Sequence, residues 1–202
     1  MNRIVKEGLI LFLITLISGA ALGGVYTITK PAREAAQRKA QQEAYQKVME
    51  NATEFVEDSS VSVEAANQAI EEAGITGTEM KEVLVAKDSS GNIVGYVMNV
   101  SNYEGYAGEL NFTVGILADG TVTGYETLTN NETAGLGQKA KEAAFSDQFK
   151  NKKVDQFTVT KSGATSDDQI DAISGATITS NAMTKGMNAC IAYYKTLGGA
   201  NE

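Results

Sequence analysis

The sequence predicts an α+β domain around a mostly antiparallel sheet, closed by a long C-terminal helix and tethered through a connecting helix to a transmembrane one. Three observations carry this. Residues Gly8 to Ile28 hold no charge. From Glu82 to Leu128, apolar-rich runs are broken by short Asp/Ser/Gly turns. Ile178 to Thr196 then places Met183, Met187, Cys190, Ile191 and Tyr194 at spacings of three and four. Several strands with adjoining helices make an α+β arrangement.

The uncharged run is long enough as a helix to reach roughly 30 Å, a bilayer's hydrocarbon thickness. A cleaved signal peptide is the rival, since Ser18-Gly19-Ala20 resembles a cleavage site. The run continues to Ile28, well past that site, which favours an uncleaved anchor over residues 1–30. Arg3 and Lys6 flank one end and Lys30, Arg33, Arg38 and Lys39 the other, so the positive-inside count does not favour a cytoplasmic N-terminus.

Pro31 to Asn51 reads as a helix, with proline in its first turn and hardly a β-branched residue after it. A connecting helix or stalk is assigned to residues 31–60 and the main domain to 61–202. Val61 to Ala73 has Val61, Val63, Ala66 and Ile70 at helical spacing and Gly74 as a stop. Val83 to Ala86 and Ile93 to Val100 form one predicted hairpin around Asp88-Ser89-Ser90-Gly91. Leu110 to Leu117 and Val122 to Leu128 form a second, with Asp119-Gly120 suited to a two-residue connection. A further strand is expected over Gln156 to Thr160. The closing helix, about Ile178 to Thr196, stops at Gly198-Gly199, and its apolar stripe marks a core helix whatever the chain binds.

Composition excludes much chemistry. Histidine is absent and cysteine occurs once, which removes Ser-His-Asp and Cys-His catalysis, histidine-based zinc or haem sites, iron–sulfur clusters and internal disulfides. A redox role would need an organic cofactor. Residues 46–202 hold eleven Lys/Arg against twenty-two Asp/Glu, which makes nucleic acid an unsuitable partner.

The candidate site is Asp171 to Ser180, where Ser174-Gly175-Ala176-Thr177 leads directly into the closing helix. A turn into a helix start offers free N–H groups and the positive end of the helix dipole, which suits a phosphate. The plainer reading is an ordinary N-cap. A second Ser-Gly-Ala-Thr, at Ser162 to Thr165, is followed by Ser166-Asp167-Asp168 instead of an apolar helix and reads as a decoy in a loop.

Asp171-x-x-Ser174-Gly175-Ala176-Thr177, followed by Ile178, Thr179 and Ser180, resembles the flavinylation motif of the FMN-binding domain shared by the G subunit of Rnf electron-transport complexes and the C subunit of Na+-pumping NADH:quinone reductases. The resemblance implies FMN held through a phosphoester on Thr177, added by a dedicated flavin transferase with FAD as donor, with Ser174, Gly175 and Ala176 shaping the phosphate turn. Asp171 would be read by the transferase or would cap the turn. Asn131 to Gly137 resembles the family's Glu-Thr-Pro-Gly-Leu-Gly loop, with Ala134 where proline is usual. By that resemblance Glu132, Thr133, Gly135 and Leu136 line the flavin ring. Gly105 to Glu109 also resembles a family segment, and is equally readable as a loop with an aromatic lid.

The resemblance further implies a single N-terminal helix, an extracytoplasmic domain, and an electron carrier that is not catalytic alone, working with the other membrane subunits of an ion-translocating ferredoxin:NAD complex. No metal is placed in the site. The short chain and stalk look more like the Rnf G subunit than the quinone-reductase homologue. A C subunit-like component of a Na+-pumping NADH:quinone reductase or a stand-alone extracellular flavoprotein is the alternative, and a cofactor-free anchored binding module the second.

Overall fold

The computed structural model describes residues 3–199. Helix α1 spans Arg3–Val48 and continues through Pro31. Two compact units divide at Ala40/Gln41. In the first, Arg33 stacks over the Tyr26 ring at 5.7 Å, and the apolar stretch of α1 is unburied. Among the described residues α1 is the one helix long and apolar enough to cross a membrane.

The second unit holds a five-stranded antiparallel meander in the order β1 (Glu54–Val56), β2 (Thr78–Lys87), β3 (Ile93–Gly105), β4 (Gly108–Leu117), β5 (Val122–Asn130). Residues 41–60 belong to this unit, where the sequence suggests a stalk. The reason is packing: Tyr45, Val48 and Met49 form a buried cluster with Leu84, Ala86 and Val97 on one sheet face, and β1 pairs with β2. On the other face Val83, Val85, Met98, Val100, Phe112 and Val114 meet α2 (Val63–Glu72) and α4 (Thr177–Tyr194) in the main core. A sheet buried on both faces reads as apolar runs instead of clean alternation.

The two hairpins expected from the sequence, β2–β3 and β4–β5, close through the same three-residue loop. Gly91 N–H bonds Asp88 O and Asp88 N–H bonds Asn92 O, at 3.0 and 2.9 Å, with Gly91 at φ +83°. Gly120 N–H bonds Leu117 O and Leu117 N–H bonds Thr121 O, each at 2.9 Å, with Gly120 at φ +89°. The Asp-Gly pair thus serves a type I turn with a left-handed glycine, not the expected two-residue connection.

Helix α2 begins at Ser62, whose hydroxyl accepts Ala65 N–H at 3.0 Å. Helix α4 settles onto β4 at Gly186, where a Cβ would stand 2.5 Å from Phe112 Cζ. After β5 come a 3-10 turn at Gly137–Lys141, the short α3 (Ala143–Ser146) and a second 3-10 turn at Asp147–Phe149. The strand expected at 156–160 is present as β6 (Thr158–Thr160), but it stands outside the meander in a parallel pair with β7 (Gln169–Asp171). The Asn188 side chain fastens this pair to α4 by accepting Phe157 N–H at 2.7 Å and donating to Phe157 O at 2.9 Å.

Candidate functional site

Two glycine-centred turns face each other at the start of α4. Ala176 N–H bonds Ile173 O at 2.9 Å across Ser174-Gly175, with Gly175 at φ +77°. Leu136 N–H bonds Thr133 O at 3.1 Å across Ala134-Gly135, with Gly135 at φ +76°. A positive φ at the third turn position is what a type II turn requires, and proline is favoured at the second. Ala134 occupies that second position, where proline would also fit. The turns meet where a Cβ on Gly175 would lie 3.1 Å from Leu136 Cδ2.

Thr177 is the first residue of α4, partly exposed, and its hydroxyl bonds no protein group among the described residues. Residue Ala176 occupies the N-cap, and no side chain caps this helix. The hydroxyls of Thr179 and Ser180 are engaged elsewhere. Ser180 Oγ accepts Ile173 N–H at 2.9 Å and donates to Ala176 O at 3.0 Å. Thr179 Oγ1 donates to Glu132 Oε2 at 3.0 Å. The N-cap reading of the motif therefore fails for its side chains. Instead the first N–H groups of an 18-residue helix are left for an outside acceptor, with a hydroxyl and the positive helix end beside them.

Ser174, Gly175, Thr133, Gly135 and Leu136 are exposed around this helix start, Leu136 at 41%. Ala176 is buried beneath it. Glu132, expected at the ring, has its carboxyl group engaged within the protein. It is only 4% exposed, its Oε1 accepts Ala107 N–H at 3.1 Å, and its Oε2 takes the Thr179 hydroxyl. The carboxyl group faces inward because protein donors on two other segments hold both oxygens. Asn130 supports it from behind, accepting Glu132 N–H at 3.0 Å and donating to Gly137 O at 3.3 Å. Ala107 thereby brings the Gly105–Gly108 turn to the site, with Tyr106 71% exposed at its tip.

Sequence reasoning gives no role to Ala107, Asn130, Thr179 or Gln148. The hydroxyl pair Thr179-Ser180 reads as part of the motif, and its near-absence of solvent exposure is the missing signal. Gln148 bonds both backbone groups of Asp171, accepting its N–H at 2.7 Å and donating to its carbonyl at 3.4 Å. Asp171 keeps an exposed side chain and caps nothing among the described residues. The second Ser-Gly-Ala-Thr lies in the exposed β6–β7 loop, where Thr165 N–H and Oγ1 both bond Gln169 Oε1 at 3.0 Å and no helix follows. Cys190 is fully buried in α4, and burial pushes its thiol well up, away from thiolate chemistry.

The α4 start thus has no side-chain cap and a threonine hydroxyl without a protein partner among the described residues, and residues 105–192 match the FMN-binding domain family. Residues 1–48 match the RnfG N-terminal region. The chain is 36% identical over 195 residues to the G subunit of the Na(+)-translocating ferredoxin:NAD(+) oxidoreductase complex of Acetobacterium woodii, covering 95% of this chain and 92% of that one. It is 31% identical over 200 residues to the G subunit of the ion-translocating oxidoreductase complex of Methanosarcina acetivorans, with 95% of each covered. A crystal structure of the C subunit of the Na(+)-translocating NADH-quinone reductase from Parabacteroides distasonis covers 73% of each chain at 24% identity and a TM-score of 0.48. The chain belongs to the G-subunit family of Rnf-type ion-translocating oxidoreductase complexes. It is a membrane-associated, FMN-binding redox subunit.

Proposed function

We propose that this chain is the membrane-anchored electron carrier of an ion-translocating ferredoxin:NAD oxidoreductase complex, with FMN joined to Thr177 by a phosphoester. The observation that carries this is the Thr177 hydroxyl itself, free of protein partners among the described residues at the first position of an uncapped helix. Attachment is a transfer from FAD by a flavin transferase. Thr177 Oγ loses its proton and bonds the flavin-side phosphorus, the P–O–P bridge breaks, and AMP leaves. Bound FMN supplies the one- and two-electron chemistry that a chain without histidine and with one buried cysteine cannot.

The chain's own groups do the rest. Ser174, Gly175 and Ala176 shape the turn that admits a phosphate, and the N–H groups at the start of α4 face its charge. Thr133, Gly135 and Leu136 line one side of the ring. Gly135 lets the backbone approach a planar surface, and Leu136 offers an exposed apolar face. A covalent tether keeps the cofactor on an exposed domain while electrons pass to and from the other membrane subunits. The anchor crosses the membrane once, and the domain lies on the extracytoplasmic side, as the family resemblance implies.

The deciding experiment is intact-mass spectrometry of the full chain co-expressed with a flavin transferase, as wild type, Thr177→Val and Thr165→Val. Wild type and Thr165→Val gain one FMN less one water, and Thr177→Val gains nothing. An unmodified wild type, in cells that flavinylate a reference target, sinks the covalent reading.

A further inference from the structure

Glu132 is placed in a socket that fits a carboxyl group atom by atom. Ala107 N–H bonds Oε1 at 3.1 Å, and the Thr179 hydroxyl bonds Oε2 at 3.0 Å. Beside each oxygen sits a glycine that leaves room for it. A Cβ on Gly105 would lie 2.8 Å from Oε1, and one on Gly137 would lie 2.5 Å from Oε2 and 2.6 Å from Thr179 Oγ1. The backbone of Glu132 is tied in turn by Asn130 at 3.0 Å. One side chain thus joins three segments distant in sequence: the β3–β4 turn, the loop after β5, and the first turn of α4. Thr179 is two residues from Thr177 in that same helical turn.

We infer that Glu132 is a positioning residue for the modification of Thr177: acting through Thr179, it fixes the first turn of α4 against the Leu136 loop so that Thr177 Oγ is presented in one orientation to the flavin-side phosphorus of FAD. The inference rests on the covalent reading above. Its physical basis is that a nucleophile in a bond-forming step must be held within a narrow range of distance and angle, and that small displacements of it are costly in rate. Hydrogen bonds with buried partners hold such a position better than exposed ones, because water does not compete for them.

The test measures the initial rate of FMN addition to the full chain in mild detergent by a purified flavin transferase with FAD, alongside the melting temperature of each variant. Glu132→Ala and Thr179→Val are expected to slow modification by ~10-fold or more, since each breaks the link to the helix start. Glu132→Gln and Thr179→Ser preserve the link, the amide oxygen toward Ala107 and the amide hydrogens toward Thr179, and stay within about threefold of wild type. Asn188→Ala, on the same helix but remote from Glu132, serves as the stability-matched comparison and keeps the wild-type rate. Glu132→Ala and Thr179→Val modified at the wild-type rate would overturn the inference, and so would equal slowing in Asn188→Ala at the same melting temperature. If Glu132→Ala fails to fold, Thr179→Val against Thr179→Ser decides alone. A wild type left unmodified beside a modified reference target fails the covalent reading itself, and is thereby told apart from failure of the positioning role.

Discussion

Ser180 and Ile173 are joined by a buried hydrogen bond of 2.9 Å, from the backbone N–H of the residue that opens the Ser174-Gly175 turn to the hydroxyl of a residue one turn into α4. The same hydroxyl donates to Ala176 O, so a single oxygen closes the turn onto the helix. Turn and helix are therefore tied together on either side of Thr177.

Ser180→Ala should accordingly lower stability by about 1–3 kcal/mol, because it leaves the Ile173 N–H buried without a partner. Ser180 is fully buried, so water cannot take the place of the hydroxyl. Urea unfolding of the full chain in detergent, followed by tyrosine fluorescence in this tryptophan-free protein, gives the value. A change within about 0.3 kcal/mol would mean that the turn is held by something other than Ser180.

The motif's position, the helix it opens and both hairpins are legible in the sequence because each depends on local chemistry. Gly175 precedes an apolar helix, and Gly91 and Gly120 sit where a tight turn needs a left-handed residue. The roles inside the motif are not legible. Ser180 and Thr179 look like capping hydroxyls until the fold buries them, and Glu132 looks like a polar loop residue until Ala107 and Thr179 arrive from 25 and 47 residues away. The stalk boundary is hidden for a related reason. Residues 41–48 have the composition of any soluble helix, and only the partners Leu84, Ala86 and Val97 show that Tyr45 and Val48 are core. Strand β6 is expected from the sequence, but its partner β7 is not: β7 is three residues long, too short to carry a period, and is held by the side chain of Gln148.

The two glycines of the Leu136 loop should respond to substitution for different reasons. Gly135 stands at φ +76° in open space, so Gly135→Ala suffers from backbone conformation alone, at about 1–2 kcal/mol, and Gly135→Asn suffers less because asparagine tolerates the left-handed region. Gly137 has no such φ, but its Cβ would enter the Glu132 socket. Gly137→Ala is expected to cost about 1–3 kcal/mol by overpacking, and Gly137→Asn more. Denaturant unfolding of the four variants checks the ordering, and asparagine better than alanine at 137 would contradict the steric account.

Asn188 replaces a neighbouring strand for Phe157, both accepting and donating at 2.7 and 2.9 Å. Asn188→Ala should destabilise by about 1–3 kcal/mol and speed hydrogen exchange at Phe157 N–H in particular. Asn188→Asp keeps the acceptor and loses the donor, so Phe157 N–H stays protected while stability still falls. Unchanged exchange at Phe157 in Asn188→Ala would show that the amide is not what anchors β6.

Glu104 and Lys185 connect the end of β3 to α4 by an ion pair, and Thr76 Oγ1 also donates to Glu104 Oε1 at 3.0 Å. The Lys185 ammonium first, and the Thr76 hydroxyl second, hold the Glu104 carboxyl below its ordinary value. A carboxyl whose pKa is depressed on folding stabilises the fold above its unfolded pKa, and that contribution is lost as pH falls through the folded pKa. Lys185→Met should therefore move the Glu104 titration upward toward the ordinary carboxylate range, with the Thr76 bond leaving part of the depression in place. The two side chains are 40% and 41% exposed, so solvent screening keeps the neutral-pH stability loss below about 1 kcal/mol. That loss should shrink toward zero as the pH drops below the carboxylate range, because the wild type then loses the same interaction. Carbon-detected NMR titration of the Glu104 carboxyl in wild type and Lys185→Met reads the shift directly, and a downward or unmoved titration would remove Lys185 as its cause.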